Sequence, residues 1–398
     1  MSLRIFATGD NHFDSRSDRY AHTIDVHRTI ASLVERERPD AFLLGGDMFE
    51  RESTPDERLH AREFVRAVCR WCPAVAIRGN HDAPGDISSL LGKLRTDHPL
   101  HVVEDARVVS PLAGLQVAAV AWPTRASTID DGAAREALRD VLRGLGAAMA
   151  SDLGARRILL GHFDVSGATS GAGQPLIGGS LTVSVADLLL AQPQAVVMSH
   201  IHKAQEFAAG DVPVVYCGSP VAHDFGEVEM KSILDLAWNG HDDGFCVGRI
   251  PTGARRMLHI TARHDVDSGR LVDFVFHGVD GDLSFGSVGE LDLGLIGRPM
   301  PALQGNDVRL RYVVRSEHRA AARALAAQIE AQWLVEGAHA VKVEDEVLAS
   351  VRSRSGAEEV GRAPTLADQM RALWKARGDE PPPERAASML SKLSEIAP

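Results

Sequence analysis

Five short apolar segments of the chain each end in Asp, Asn or His, and this pattern constrains the fold more than any other feature. The first three run from Leu3 to Thr8, from Ala41 to Leu44 and from Ala74 to Ile77, and helical periodicity separates them over residues 20–37 and 55–71. Apolar runs of this length predict buried strands. Strands that alternate with helices predict an α/β core whose ligands lie at the carboxyl ends of the strands.

The polar residues at these strand ends form one candidate site. The fourth and fifth segments, Arg157 to Leu160 and Ala195 to Met198, lead into a Gly-His pair and a His-x-His sequence. Together the strand ends supply seven candidate metal ligands: Asp10, His12, Asp47, Asn80, His162, His200 and His202. Carboxylate, amide and imidazole groups without a thiolate suit Mn²⁺, Fe²⁺ or Zn²⁺.

This ligand set is too large for one ion and suits two ions that share a carboxylate. Asp47 follows the middle one of the first three strands and is the natural bridge. Two ions about 3.5–4 Å apart hold the attacking and leaving oxygens of a phosphoryl centre and activate a water as the nucleophile. The set therefore predicts hydrolysis of a phosphoester. A single Asp-x-His or His-x-His is more often a structural or surface feature, so the prediction depends on the ordered set.

His81 and Asp82 follow the ligand Asn80 in the turn Arg78-Gly79-Asn80-His81-Asp82. Displacement at a phosphodiester needs a general acid for the leaving alkoxide. His81 cannot easily turn inward together with its neighbour Asn80, so we predict that it is the catalytic acid. Asp82 is predicted to be catalytic as well, because a carboxylate can hold an imidazole in one tautomer.

The composition is that of an ordinary globular protein with a core: 44% of the 398 residues are hydrophobic and 24% are charged. No run approaches the ~20 apolar residues of a membrane helix, and no signal-peptide pattern precedes the first strand, which predicts a cytoplasmic location without a membrane partner. Cys69 and Cys72 form a C-x-x-C without a second pair and are expected to pack in the core. The net charge of −11 argues against a positively charged coat for nucleic acid. It does not exclude a nuclease, since metals supply positive charge locally, as would residues such as Arg16, Arg19, Arg51 or Lys203.

Changes in composition and hydrophobic pattern along the chain predict its domain organisation. Residues 1–261 are predicted to carry the site, 262–352 to form a small α+β module, 353–364 a polar linker and 365–398 two short amphipathic helices. Four apolar segments between Val212 and Thr261 are expected to form the second sheet of a layered sandwich. Short helices behind a linker need a surface to cover their apolar faces, which is either the protein's own body or a partner.

The ordered set of strand ends resembles the calcineurin-like metallophosphoesterase superfamily. The motifs that carry this resemblance are Asp10-Asn11-His12, Gly46-Asp47, Gly79-Asn80-His81-Asp82, Gly161-His162 and His200-Ile201-His202. Further sequences resemble the SbcD branch, bacterial nuclease subunits related to the eukaryotic and archaeal double-strand-break repair nuclease. They are Asp47-Met48-Phe49-Glu50-Arg51, His162 to Ala168, Gly178-Gly179-Ser180, His200 to Gln205, and Gly218-Ser219-Pro220 with Asp224-Phe225-Gly226-Glu227. The resemblance covers residues 3–230 and is only architectural beyond them.

The resemblance implies a four-layer α-β-β-α sandwich with a nuclease site, a small α+β capping domain that binds DNA, and a C-terminal helical tail. It implies two Mn²⁺, with Mg²⁺, Fe²⁺ or Zn²⁺ as alternatives. One ion would lie on Asp10, His12, Asp47 and His202, and the other on Asp47, Asn80, His162 and His200. It also implies His81 as the catalytic histidine, with 3′-to-5′ exonuclease and endonuclease activity on DNA in repair or recombination. Such proteins form homodimers and bind an SbcC-like coiled-coil ATPase, often through C-terminal helices, for which residues 365–398 are the candidate here.

Three positions depart from the family pattern. Ser199 replaces the usual Gly before His-x-His, Phe13-Asp14 replaces a common Leu-Gly, and Glu50 stands where bacterial relatives usually have Asp and archaeal ones His. The last change bears on the balance between exonuclease and endonuclease activity. Two other functions share these features: a phosphatase or cyclic-nucleotide phosphodiesterase, and a non-catalytic scaffold subunit of an ATPase complex. The capping module and the tail argue against the first, and His81 argues against the second because a scaffold does not need it.

Overall fold

The computed structural model describes residues 2–123, 131–152, 154–170, 182–240, 244–278, 283–285, 303–348, 365–377, 381 and 385–390. Its strands are β1 Leu3–Thr8, β2 Ala41–Leu44, β3 Ala74–Ile77, β4 Leu100–Val103, β5 Ala106–Leu112, β6 Leu115–Val120, β7 Arg156–His162, β8 Asp164–Val165, β9 Thr182–Val183, β10 Ala195–Ser199, β11 Gln205–Ala209, β12 Val212–Tyr216, β13 Ser232–Trp238, β14 Cys246–Pro251, β15 Met257–Asp265, β16 Arg270–His277, β17 Leu283–Phe285, β18 Asp307–Arg315 and β19 Ala340–Leu348. Its helices are α1 Tyr20–Glu37, α2 Pro55–Val68, α3 Asp86–Leu91, α4 Asp131–Met149, α5 Val185–Leu188, α6 Arg319–Val335 and α7 Leu366–Arg377. The predicted linker at 353–364, the sequence at 178–180 and the end of the tail at 391–398 lie outside the described residues.

Two six-stranded sheets pack face to face at the centre of the fold. The first has the order β14-β13-β1-β2-β3-β4, and the second has the order β11-β12-β10-β7-β6-β5. Strands β1 to β4 run parallel, as do β6, β7, β10 and β12. The remaining four strands of the two sheets pair antiparallel to their neighbours. The parallel strands therefore bring their carboxyl ends to one edge of the sandwich.

Helices cover the outer faces of both sheets. In β1, Ile5 and Ala7 face the second sheet, whereas Phe6 faces helices α1 to α3, and all three side chains are fully buried. Strands covered on both faces are apolar at every position, which explains the continuous apolar runs in the sequence. On the second sheet, Leu142 of α4 and Leu188 of α5 pack on the outer face. The predicted four-layer α-β-β-α arrangement is confirmed.

A third sheet, of five strands in the order β17-β16-β15-β18-β19, forms the small α+β module. Helix α6 covers one face through Ala322, Ala326, Ile329 and the fully buried Trp333. The predicted domain boundary at 261/262 falls inside strand β15, which belongs entirely to this sheet. The division of the chain into domains stays a prediction.

The expectation that four segments after Val212 form the second sheet is wrong for three of them. Only β12 joins that sheet, whereas β13 and β14 extend the first sheet and β15 lies in the third. Strand β13 pairs antiparallel with β1, from Leu3 opposite Trp238 to Ala7 opposite Leu234. This pairing satisfies backbone groups on β1 that would otherwise form an open sheet edge. Periodicity predicts that a segment is a strand, but it does not identify the partner strand.

Local signals in the sequence explain several element boundaries. Thr54 and Glu57 form a capping box at the start of α2, in which each side chain accepts a hydrogen bond from the backbone N–H of the other residue. Thr365 caps α7 by accepting from the N–H of Asp368 at 3.1 Å. The two cysteines of the C-x-x-C sequence are free thiols buried in the core beside α2, as expected. Within the described ranges, no helix is both long and apolar enough to cross a membrane.

Candidate metal centre

The strand ends β1, β2, β3, β7 and β10 meet at one edge of the sandwich and bring the predicted ligands together. Three groups of side chains there each offer ligand atoms that all lie within 4.8 Å of one another: two consist of predicted ligands, and the third is His12, Glu50 and His81. The first group consists of Asp10, His12 and His202, and the second consists of Asp47, His162 and His200. Asn80 joins the second group, because its Oδ1 lies 2.9 Å from His162 Nε2 and 2.7 Å from His200 Nδ1. Asp47 Oδ2 lies 3.2 Å from His162 Nε2 and 4.0 Å from His12 Nε2, between the two groups.

The first group presents unprotonated nitrogens to each other. His12 Nδ1 lies 2.8 Å from Glu50 Oε2, and His202 Nδ1 lies 2.9 Å from Glu227 Oε1. An ionised carboxylate only accepts hydrogen bonds, so the bond to Glu227 places the proton of a neutral His202 on Nδ1 and leaves a lone pair on Nε2. The nearby carboxylate of Glu50 favours the same tautomer of His12. These two Nε2 atoms are 3.1 Å apart. Two nitrogen ligands at about 2.1 Å from one ion lie at such a separation, so the first group fits a metal ion.

In the second group, each ring likewise has one nitrogen that faces the other predicted ligands and one that faces a group outside the centre. His162 Nδ1 donates to the carbonyl oxygen of Gly45 at 2.8 Å, which leaves Nε2 to face Asp47 and Asn80. His200 Nε2 lies 3.3 Å from Asp164 Oδ1, and its Nδ1 faces Asn80 Oδ1. With the proton of His162 on Nδ1 and that of His200 on Nε2, the nitrogen and oxygen atoms that face one another here are all acceptors. A divalent cation satisfies such a set, and the donor types suit a borderline metal.

Buried carboxylates give the centre a negative potential. Asp10, Asp47 and Asp82 are 0%, 1% and 2% exposed. Burial raises the pKa of Asp10, and burial together with the charge of Asp47 raises the pKa of Asp82 to about 6. Burial would also raise the pKa of Asp47, but His162 outweighs it and holds that pKa below its usual range. A cation among such carboxylates offsets the cost of burying their charges.

The backbone of the centre is strained at four of the predicted ligands. Asp10, His12, Asp47 and His200 have φ of +51°, +43°, +48° and +93°. A residue other than glycine in such a region costs about 1–3 kcal/mol and persists only where the surrounding structure holds it. Strain of this kind is concentrated in sites that position ligands.

Close approaches between the strand-end turns require particular small residues. A Cβ on Gly79 would lie 2.0 Å from Asp47 Oδ1 and 2.3 Å from the Asp47 backbone nitrogen. A Cβ on Gly9 or Gly45 would lie 1.9 or 2.0 Å from the Oγ of Ser199. Ser199 ends strand β10 and lacks a positive φ, so serine is tolerated where the family usually has glycine.

The predicted role of Asp82 needs a correction. Asp82 accepts hydrogen bonds from the N–H groups of Phe49 at 3.0 Å and Gly79 at 2.9 Å, so it fixes two backbone turns. The ring of His81 is held by the backbone carbonyl of Glu50, at 2.9 Å from Nδ1. A backbone carbonyl oxygen can fix the tautomer of an imidazole as a carboxylate can. The spacing of residues in the sequence does not show which carbonyl will contact the ring. Asp82 is therefore not the residue that orients His81.

One of the four candidates for phosphate contact is also wrong. Arg19 is 7% exposed and forms an ion pair with Asp307 of β18, so its charge is already neutralised inside the protein. Arg16 and Arg51 are exposed, and Lys203 is half-buried. Of these three, Arg51 pairs with Asp14 at 2.7 Å, and Lys203 Nζ donates to Thr169 Oγ1 at 3.4 Å.

Sequence reasoning missed several residues that contact the predicted ligands. Glu50 and Glu227 stand in family motifs, but from the sequence Glu50 is connected only with the balance between exonuclease and endonuclease activity and Glu227 with no role. Asp164 lies two residues after His162, which is a weak signal. The ring centroid of His223 lies 4.9 Å from that of His12 and 5.1 Å from that of His202. His223 and Glu227 belong to the loop after β12, which no strand-end pattern marks.

Comparison with known proteins agrees with this geometry. Residues 3–242 match the family described as calcineurin-like phosphoesterase, which is more than half of the chain. The chain belongs to the calcineurin-like phosphoesterase family. This family binds divalent metals, and the two groups of side chains described above are its metal-binding candidates here.

Two curated relatives of this calcineurin-like phosphoesterase have names that bear on its chemistry. The SbcD component of the nuclease SbcCD of Bacillus subtilis is 28% identical over 252 residues, which are 56% of this chain and 63% of that protein. A probable cyclic nucleotide phosphodiesterase of Synechococcus sp. is 30% identical over 78 residues, which are 19% of this chain and 29% of that protein. The chain thus spans less than two thirds of the length of either relative.

Solved structures with a similar fold are distant in sequence. A dimetal phosphatase from Danio rerio is 11% identical with a TM-score of 0.43, and the similarity covers 63% of this chain and 97% of that one. A protein of Thermus thermophilus is 15% identical with a TM-score of 0.39, covering 63% of this chain and 99% of that one. Similarities at this level do not bear on function.

Proposed function

We propose that the chain is a metal-dependent DNA nuclease that hydrolyses phosphodiester bonds, with 3′-to-5′ exonuclease and endonuclease activity. The observation that carries the proposal is the meeting of the two acceptor groups beside the accessible ring of His81, whose side chain is 39% exposed. Such an arrangement suits attack on a phosphoester bound at the surface. The name of the Bacillus relative, a nuclease component, supports DNA as the substrate.

Two divalent ions are proposed to occupy the centre, with Mn²⁺ preferred and Mg²⁺, Fe²⁺ or Zn²⁺ as alternatives. Bound ions would stabilise charge on the phosphoryl oxygens and lower the pKa of a water nucleophile. Asp47 is proposed to belong to both ions. The other ligands of the first ion are Asp10, His12 and His202, and those of the second are Asn80, His162 and His200.

His81 is proposed to protonate the leaving alkoxide. Its Nδ1 donates to the carbonyl oxygen of Glu50, so Nε2 is the nitrogen that can carry the transferable proton. Its backbone N–H donates to Asp47 Oδ1 at 2.8 Å, which places the ring directly beside the proposed bridging carboxylate. The ring also packs edge-on against His12, with centroids 5.1 Å apart. These contacts fix the ring without occupying Nε2.

The third sheet is proposed to supply contacts to DNA phosphates. Its strand β18 alternates between side chains that face α6 and positively charged side chains on the opposite face, namely Arg309, Arg311 and Arg315. The guanidinium carbon of Arg309 lies 4.9 Å from the ring centre of Phe225, in the same loop as Glu227. Arg311 pairs with Glu344 at 3.3 Å, so Arg309 is the residue through which this face is proposed to bind phosphate near the loop of Glu227.

We propose in addition that the chain forms a homodimer and acts in the cytoplasm with an SbcC-like coiled-coil ATPase in DNA repair or recombination. The Bacillus relative is named as part of SbcCD. The tail at 365–398 is the candidate for the ATPase contact. Trp374 of α7 is 8% exposed, whereas Met389 is 40% exposed and offers apolar surface to a partner. Removal of 365–398 is expected to abolish co-purification with such an ATPase while cleavage of short DNA persists.

The proposal is tested by cleavage of end-labelled single- and double-stranded DNA in Mn²⁺ by the wild type and by His81→Gln, with metal content measured on both. We expect about two ions in each protein and cleavage only by the wild type. Cleavage by His81→Gln at the wild-type rate with unchanged metal content would refute the role of His81. The short match to a cyclic nucleotide phosphodiesterase favours that activity as the second candidate. Faster turnover of cyclic nucleotides or small diesters than of DNA by the wild type would establish it instead, and metal binding without any hydrolysis would favour a scaffold.

A further inference from the structure

A buried ion pair lies directly behind the ligand His202. The side chains of Glu227 and Lys231 are 6% and 3% exposed, and Lys231 Nζ lies 2.5 Å from Glu227 Oε2. Removing two charges from water is costly, and such a pair often contributes little net stability. A stable fold alone therefore does not explain why charged groups occupy this position.

Both carboxylate oxygens of Glu227 have polar partners, and the partners of the two oxygens differ. Oε1 lies 2.9 Å from His202 Nδ1. Oε2 contacts Lys231 Nζ and accepts from the hydroxyl of Ser219 at 3.2 Å. The ammonium of Lys231 balances the negative charge of this buried carboxylate. The carboxylate is thus an ionised acceptor with a fixed orientation toward the imidazole.

Lys231 holds the ligand from a second side as well. Its Nζ donates to the backbone carbonyl of His202 at 3.2 Å and to Ser219 Oγ at 3.0 Å. One ammonium therefore restrains the backbone of the ligand and the carboxylate that orients its ring. The loop is fixed from outside too, because the Thr252 N–H donates to the carbonyl of Lys231 at 3.0 Å and its Oγ1 donates to the carbonyl of Pro220 at 2.9 Å.

Among the described residues, no buried carboxylate paired with a buried cation lies behind the histidines of the second group. The outer nitrogen of the His162 ring faces a backbone carbonyl, and that of the His200 ring lies 3.3 Å from Asp164 Oδ1. Within the part of the chain that the structure describes, only His202 is held by a buried carboxylate that itself has a buried cation. Partners of this kind fix the tautomer of a metal-binding histidine and raise its basicity.

We propose that Glu227, locked by Lys231 and Ser219, is a positioning residue that keeps the proton of His202 on Nδ1 and directs Nε2 toward Asp10 and His12. It sets the affinity of the first ion and leaves that of the second unchanged. The inference rests on the proposed metal centre. It concerns this chain's own residues and can be tested by metal binding without any measurement of catalysis.

The test is calorimetric titration of the metal-free full chain with Mn²⁺, for the wild type and for Glu227→Gln. We expect one of two ions to bind 10–100-fold more weakly in the variant, which is the usual effect of losing a partner of this kind. Asn80→Ala removes a ligand of the second ion only, so in that background the remaining site reports the first ion directly. There Glu227→Gln is expected to weaken the single remaining site by the same factor.

Asp187→Asn is the matched control, because Asp187 is a buried carboxylate that caps α5 and pairs with Arg139 away from the centre. It is expected to lower thermal stability without changing the affinity for either ion. Lys231 Nζ also donates to Glu229 Oε1 at 2.6 Å. The triple variant Glu227→Gln with Glu229→Gln and Lys231→Met therefore removes all three charges of this cluster, and weak binding that persists there reflects positioning and not a misfolded chain.

Unchanged affinity of both ions in Glu227→Gln would overturn the inference and leave the proposed function intact. An equal loss of affinity for both ions would overturn the inference too. So would the same loss of affinity in Asp187→Asn, because the effect would then not be specific to Glu227. Recovery of wild-type affinity in the triple variant would assign the effect to folding and reject positioning. A wild type that binds no ions would refute the proposed metal centre itself.

Discussion

Gly79→Ala is expected to disrupt the metal centre without replacing any of the proposed ligands. The added Cβ would lie 2.0 Å from Asp47 Oδ1, 2.6 Å from Asp47 Cγ and 2.3 Å from the Asp47 backbone nitrogen. Rotation of the carboxylate relieves the first two contacts only. The third requires movement of the backbone turn after β2 or the turn after β3, each by about 1 Å or more, since non-bonded carbon contacts lie near 3.5 Å.

The expected cost follows from what those turns hold. Forced overpacking of a close-packed site costs about 1–3 kcal/mol. Movement of Asp47 also breaks the bond from the His81 N–H to Oδ1, now 2.8 Å long, and bonds to charged groups contribute about 1.5–3 kcal/mol. We therefore expect a loss of roughly 3–5 kcal/mol in the free energy of unfolding of the metal-free protein. A bridging carboxylate displaced by about 1 Å should also lower the rate of DNA cleavage about 100-fold.

Urea denaturation of the metal-free protein, followed by Mn²⁺ titration, measures both effects. Gly144→Ala is the matched control, because nothing lies within 4 Å of the added Cβ in helix α4. That substitution should stabilise the protein by about 0.5–1 kcal/mol through helix propensity. The reasoning would be refuted if Gly79→Ala unfolded at the same urea concentration as the wild type and still bound two ions.

Three further predictions concern the metal, a helix cap and pH. Mn²⁺ at a hundredfold excess over its dissociation constant should raise the free energy of unfolding by about 2.7 kcal/mol for each bound ion, and chelation followed by thermal melting should reverse the gain. Thr54→Ala removes the capping box of α2 and should cost about 1 kcal/mol in urea denaturation, with Mn²⁺ affinity unchanged. Burial and the charges of Arg255 and Arg19 lower the pKa of His22 from 6.5 to about 4, and its Nε2 accepts from the Arg255 N–H at 3.0 Å. The unfolded chain therefore takes up this proton first, so stability should fall as pH drops from 6.5 to 4, and less steeply in His22→Gln.

That the predicted ligands lie together could be inferred from the sequence, because the position of each depends on its own strand. Asp10, Asp47 and His162 stand at or just after strands whose apolar runs are visible in the sequence, and parallel strands bring such ends to one edge. The capping box at Thr54 and the cap at Thr365 are equally local. Each of these features depends on residues a few positions apart, which a sequence displays directly.

Features that depend on contacts between distant segments could not be predicted. The pairing of β13 with β1 joins residues more than 200 positions apart in the chain, and periodicity carries no record of it. The carbonyl of Glu50, and not the carboxylate of Asp82, holds the ring of His81, because backbone groups compete for any exposed donor. Glu227 and Lys231 lie in a loop, where neither spacing nor hydrophobic pattern marks a buried pair.

The predicted ligands whose backbone has a positive φ connect the fold to the chemistry of the centre. A chain that leaves a strand in extended backbone carries its side chains alternately to the two faces of the sheet, away from the edge where the strands end. A positive φ at Asp10, Asp47 and His200 breaks that alternation at the strand exit. The turns are held by other groups of the centre: the His200 N–H donates to Asp10 Oδ1 at 2.9 Å, and the Asp10 N–H donates to the carbonyl of Gly46 at 3.0 Å. Each strained turn is thus stabilised by a neighbouring strand end. The ligand geometry is therefore a property of the assembled edge, and a clash at one turn, as in Gly79→Ala, is expected to affect both ions.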